Sequence, residues 1–149
     1  MSYQVCVDAS LAILWLMPVQ RTRRAAELLE RWVRAGVDLI GPPLFDAEVT
    51  STIRLHVYLK KILPEEGEEA FSGYSALGVR TVTPPGLCRR AWELAREHNQ
   101  PRTYDMQYLA VAELADCELW TGDERLANSL QGKNKRVKWV GEYSKKDSE

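Results

Sequence analysis

Four acidic residues of this chain stand where a carboxylate could do chemistry: Asp8, Glu48, Asp105 and Asp123. Asp8 closes the apolar run Val5-Cys6-Val7, and Asp123 follows Trp120-Thr121-Gly122 directly. Glu48 falls in the first turns of a helix opened by Pro42-Pro43, and Asp105 in the first turn of a helix beginning near Thr103. Carboxylates gathered at one place raise each other's pKa and destabilise a fold that holds them without a cation. A hard divalent ion such as Mg²⁺ or Mn²⁺ takes oxygen ligands of this kind and keeps several waters. It can then activate a water and neutralise charge developing on a phosphate. Taken singly, Asp8, Asp105 or Asp123 reads more readily as a helix cap or first-turn residue, worth about 0.5–2 kcal/mol, than as a catalyst. Capping alone gives no reason to gather four.

Whether they gather depends on the elements around them. Val5–Val7, Asp38–Gly41, Gly78–Val82, Cys117–Thr121 and Val137–Val140 read as short strands. Between them lie helical patterns at Ala9–Met17, Arg23–Ala35, Leu44–Lys61, from Pro64, from Pro84-Pro85 to His98, Thr103–Ala115 and Asp123–Leu130. Arg23–Ala35 is the clearest, with Ala25, Leu28, Leu29, Trp32 and Val33 spaced as one helix face and Gly36 as its stop. Short apolar strands alternating with helices predict an α/β fold around a five-stranded parallel sheet. In such sheets ligands bind beyond the carboxyl ends of the strands, the edge at which these acids are expected.

The remaining chemistry is sparse. Cys6, Cys88 and Cys117 have no paired spacing and read as reduced, buried thiols; His56 and His98 are too far apart to suggest zinc. Phosphate-binding glycine loops and nucleophile-elbow motifs are absent from the sequence. With 149 residues, 45% hydrophobic and 28% charged, the chain suits one globular domain. A net charge of −1 does not by itself mark a nucleic-acid binder. The cluster Lys133, Lys135, Arg136 and Lys138 is either a solvated loop or a phosphate-facing patch. No apolar run is long enough for a membrane span, and no secretory signal is read, so a cytoplasmic setting is expected. Trp15, Trp32, Trp92 and Trp120 read as core, as do Tyr104 and Tyr108, whose alternative is stacking on a base.

Four segments, taken in order, resemble the motifs of PIN-domain ribonucleases, and of VapC-type toxins in particular. They are Val7-Asp8-Ala9-Ser10; Pro43 followed by Glu48; Thr103-Tyr104-Asp105-Met106-Gln107-Tyr108-Leu109-Ala110; and Trp120-Thr121-Gly122-Asp123-Glu124-Arg125-Leu126. The resemblance runs from about Gln4 to Val140. It implies that Asp8, Glu48, Asp105 and Asp123 form an acidic catalytic site holding Mg²⁺ or Mn²⁺, supported by Ser10 and Thr121. The domain is expected over residues 1–141, with a tail at 142–149 expected to fray because it is polar. A common family Asn, three residues after the helix Glu, is Ser51 here.

The function implied is a metal-dependent endoribonuclease toxin. Its partners would be an RNA substrate, a cognate antitoxin protein whose segment covers the acids, and a second copy in a homodimer. Arg102, Arg125, Lys133 and Lys135 are the candidates for holding the RNA backbone. The alternatives are a catalytically silent RNA- or protein-binding module, which predicts missing acids, and an aspartyl-phosphate enzyme using Asp8. The second usually has another Asp two residues on, where this chain has Ser10.

Overall fold

The computed structural model describes residues 3–17, 22–130 and 132–144. Five parallel strands form one sheet: β1 (Gln4–Val7), β2 (Asp38–Gly41), β3 (Arg80–Thr81), β4 (Glu118–Thr121) and β5 (Val137–Trp139). Their spatial order is β3-β2-β1-β4-β5. The helices are α1 (Ala9–Leu16), α2 (Arg23–Ala35), α3 (Leu44–Tyr58), α4 (Pro64–Leu77), α5 (Leu87–Glu97), α6 (Tyr104–Leu114) and α7 (Glu124–Leu130). A single 3-10 turn, Val140–Glu142, follows β5. Among the described residues no helix is long and apolar enough to cross a membrane.

The central strand shows why the sheet is parallel and covered on both faces. Val5, Cys6 and Val7 are all fully buried, so β1 reads as an unbroken apolar run instead of an alternating one. Helix α6 lies on β1 and β4, α5 pairs with α6, and α1 packs against α2, α3, α4 and β4. Local chemistry sets the ends of α2. Thr22 accepts the Ala25 N–H at 3.2 Å, and Gly36 closes the helix in the left-handed region at φ 68°.

Aromatic rings join the layers on the α2 side. Trp15, Trp32, Trp120 and Tyr143 contact one another in sequence, edge to face, with centroids 6.0, 5.6 and 6.3 Å apart. The Trp15 indole N–H donates to the Ala25 carbonyl at 2.8 Å, which satisfies its polar atom inside the core. Tyr143 is buried, although it belongs to the segment expected to fray; stacking on Trp120 holds it. Residues 145–149 of the expected tail lie outside the described residues.

Several expected core positions are on the surface. Trp92 is 60% exposed, because α5 turns Leu87, Ala91, Leu94 and Ala95 inward and Trp92 points off that face. Val33 is exposed for the same reason, one step round α2 from Trp32. Tyr104 is exposed because the first turn of α6 stands at the carboxyl edge of the sheet, beyond the ends of the strands. Cys88 is exposed at the start of α5, while Cys6 and Cys117 are buried thiols as expected. Thr103 precedes α6 without a side-chain cap bond.

Removing the middle ring of the aromatic chain tests its weight. Trp32→Ala is expected to cost about 3–5 kcal/mol, as for other buried aromatic truncations. Urea unfolding followed by circular dichroism checks this, and a loss below about 1 kcal/mol would mean that the rings do not join the layers.

Candidate active site

The strand order reverses between β1 and β4, so their following connections leave toward opposite sides and open a crevice at the carboxyl edge. Asp8 and Asp123 stand at the two lips of that crevice, directly after β1 and β4. Helix α3, entered after β2, brings Glu48; helix α6, which leads into β4, brings Asp105 in its first turn. All four line one cavity of about 570 Å³.

A seam of hydrogen bonds joins the two lips. Asp8 is buried, and its Oδ1 accepts the Ser10 hydroxyl at 2.7 Å and the Leu11 N–H at 3.0 Å. Its Oδ2 accepts the hydroxyl of Thr121, which is fully buried. Ser10 Oγ in turn accepts the Gly122 N–H at 3.0 Å, and Thr121 Oγ1 accepts the Asp123 N–H at 3.0 Å. The two turns press so closely that a Cβ on Gly122 would lie 2.8 Å from Leu14 Cδ1 and 3.0 Å from the Ser10 carbonyl oxygen. Only glycine fits there without displacing the first turn of α1.

Cap and site are not alternatives. Asp8 caps α1 through Leu11, and Asp123 caps α7 by accepting the Arg125 N–H at 2.9 Å and the Leu126 N–H at 3.3 Å on Oδ1. Each carboxylate spends part of its accepting capacity on a helix end, and the helix dipole favours a negative charge there.

The electrostatics reflect burial first and the neighbouring acids second. Burial pushes the Asp8 pKa up to about 6, against the opposing bonds from Thr121, Ser10 and Leu11, and the charge of Asp105 adds to the rise. Glu48 is also raised, first by burial, with Asp105 again contributing, while the bond from Tyr108 opposes the shift. Asp105 is exposed as a residue, yet desolvation of its carboxyl, then the charge of Asp123, moves it up; the Arg125 guanidinium works against both. Asp105 thus feels or exerts the charge of every other acid. Among the described residues, no three acidic, histidine or cysteine side chains meet closely enough to enclose an ion as they stand. The donor set nevertheless suits a hard divalent cation: carboxylate oxygens of shared negative charge, which such an ion would neutralise.

Other expected site residues fall in different places. Ser10 and Thr121 each donate a hydroxyl hydrogen bond to Asp8. Arg125 lines the cavity, and Arg102 is exposed in the loop before α6. Lys133 and Lys135 line a different, larger and wide-open hollow of about 1010 Å³ with Tyr3, Glu118 and Arg136. That hollow lies at the amino ends of the strands, because these lysines precede β5, so they do not reach the edge occupied by the acids. Ser51 is exposed and does not line the cavity, whereas its neighbour Thr52 does. Thr52 and His56 follow Glu48 on one face of α3 at helical spacing, a signal available in the sequence and not used there. Tyr108 is core, as read, but its phenol also donates to Glu48 Oε1 at 2.5 Å.

With this geometry in view, comparison with known proteins is decisive. The family described as PIN domain matches residues 5–129. The chain belongs to the PIN-domain family. A VapC ribonuclease of Mycobacterium bovis and Ribonuclease VapC9 of Mycobacterium tuberculosis are each 30% identical to it over 129 residues, covering 85% of this chain and 91% of the relative. The crystal structure of PAE2754 from Pyrobaculum aerophilum shares the fold, with a TM-score of 0.61 at 19% identity, covering 95% of this chain and 93% of that one.

The raised Asp8 pKa of this PIN domain sets a pH dependence. Its folded value of about 6 exceeds the ordinary 3.8, so charged Asp8 destabilises the metal-free fold above pH 6 and the penalty fades as pH falls toward 4. The full difference is about 3 kcal/mol. In EDTA, the melting temperature is expected to rise between pH 8 and pH 5.5, and Asp8→Asn to flatten that rise. A wild-type profile with no rise would place Asp8 in a more polar setting than the seam provides.

Proposed function

We propose that this PIN domain is an endoribonuclease dependent on Mg²⁺ or Mn²⁺ and the toxin of a toxin–antitoxin pair. The observation that carries the proposal is the meeting of Asp8, Glu48, Asp105 and Asp123 in one cavity. The VapC ribonuclease relatives support it. These acids would hold one or two ions, which supply Lewis acidity to a water and to the phosphodiester when bound.

The protein's own side chains do the remaining work. Asp8 and Glu48 are held by hydroxyl donors, so their orientation is set before substrate arrives. Arg125, at the cavity wall, supplies a guanidinium to a phosphate of the RNA backbone. An unpaired strand or loop suits an open cavity at a sheet edge, because a folded duplex hides its bases. A cognate antitoxin covering the acids, a homodimer and a cytoplasmic setting follow from the resemblance to VapC toxins and are proposed with it. The silent-module alternative predicts missing acids, and all of them are here.

Purified protein is expected to cut single-stranded RNA with Mn²⁺ or Mg²⁺ and to stop with EDTA; activity surviving exhaustive chelation would overturn the metal mechanism. Asp105→Asn separates the site from a set of caps. As a mere first-turn acid, Asp105 would contribute about 0.3–1 kcal/mol, and its loss would lower stability. As the acid that the others repel, its neutralisation is expected to raise the melting temperature in EDTA. The wild type should then gain more from millimolar Mn²⁺ than the variant does. Thermal melts of both proteins read this without RNA.

A further inference from the structure

Tyr108 lies one turn after Asp105 on α6, and its ring is almost fully buried beneath the cavity. Its phenol crosses to α3 and donates to Glu48 Oε1 at 2.5 Å. Among the described residues Glu48 has no other side-chain hydrogen bond. The bond is therefore what distinguishes Glu48 from an ordinary flexible glutamate with three rotatable side-chain bonds. One carboxylate oxygen is committed to the phenol, and the other is left for a ligand in the cavity that Glu48 lines.

We infer that Tyr108 is a positioning residue for the cation site: its phenol fixes Glu48, across the gap between α6 and α3, as a ligand presenting one oxygen. The inference rests on the nuclease reading above and adds a residue to it. Two features support it. The backbone of Tyr108 is itself fixed, since the Cys6 thiol donates to the Tyr108 carbonyl at 3.5 Å and ties α6 to the central strand. The arrangement also parallels Asp8, whose Oδ2 is held by the Thr121 hydroxyl. Each inner acid thus has a hydroxyl donor on another element, as ligating carboxylates commonly do.

Tyr108→Phe keeps the ring and removes only the O–H. The probe is Mn²⁺ alone, titrated into metal-free protein and followed by thermal shift and calorimetry. The variant is expected to unfold cooperatively in EDTA and to need about 10–100-fold more Mn²⁺ for half of the wild-type shift. Its RNA cleavage should be depressed at low Mn²⁺ and recover at high Mn²⁺, which a purely structural defect would not do. Tyr104→Phe, on the exposed side of the same helix, should leave the Mn²⁺ midpoint unchanged. A Tyr108→Phe midpoint within twofold of wild type would overturn the positioning role while leaving the nuclease reading intact. Absence of any Mn²⁺ or Mg²⁺ response in the wild type would instead overturn both. Should Tyr108→Phe fail to fold, the same change is made in a Glu48→Gln background, where no charge is left unpaired. A Mn²⁺ response equal to that of Glu48→Gln alone supports action through Glu48, and a further tenfold loss overturns it.

Discussion

The structure turns on one unfavourable act, the burial of the Asp8 carboxylate at the end of the central strand. Taking a charge out of water is costly unless hydrogen bonds replace the lost hydration. Here the donors are Ser10, the Leu11 N–H and Thr121, and Thr121 comes from β4, over a hundred residues later in the chain. The bonds that make the burial tolerable are therefore those that join β1 to β4. They do not abolish the cost, since Asp8 still holds a proton more readily than a free aspartate.

The rest of the site follows from that seam. With β1 and β4 adjacent and their connections diverging, the crevice above them is the one place where helix starts from both halves of the chain can face each other. Asp123 arrives there because Gly122 lets its turn lie against Ser10. Glu48 and Asp105 arrive on α3 and α6, bridged by the Tyr108 phenol. Crowded carboxylates then leave a cavity whose charge Arg125 offsets only in part. Repulsion among the acids gives a counter-cation its thermodynamic advantage, so the stability lost in building the site becomes affinity for the ion proposed to occupy it.

Charge elsewhere is arranged differently. The basic cluster at the start of β5 lies toward the opposite edge, where Arg136 pairs with Asp116 at 2.9 Å and Lys138 approaches Glu118 at 3.9 Å. Both are surface pairs of small energetic weight. Arg125, by contrast, stands at the wall of the cavity that the four acids line.

By itself the sequence determined the elements and their parallel class, and it singled out four acids that line one cavity. Those signals are local: apolar runs, helical spacing, proline and glycine punctuation, and acids placed directly after strands. The resemblance of four ordered motifs drew attention to Ser10 and Thr121, which both bond to Asp8. The sequence was silent wherever the answer depends on what packs against a face. Trp92 and Tyr104 are apolar residues on helices, and only the pairing of α5 with α6 and the end of the sheet decide that they meet solvent. Lys133 and Lys135 could be assigned to an edge only once the direction of β5 was known. The bond from Tyr108 to Glu48 joins residues sixty positions apart, and no spacing rule links α6 to α3. Strand order is the common cause: it is set by which faces bury together across the whole chain, and local pattern does not encode it.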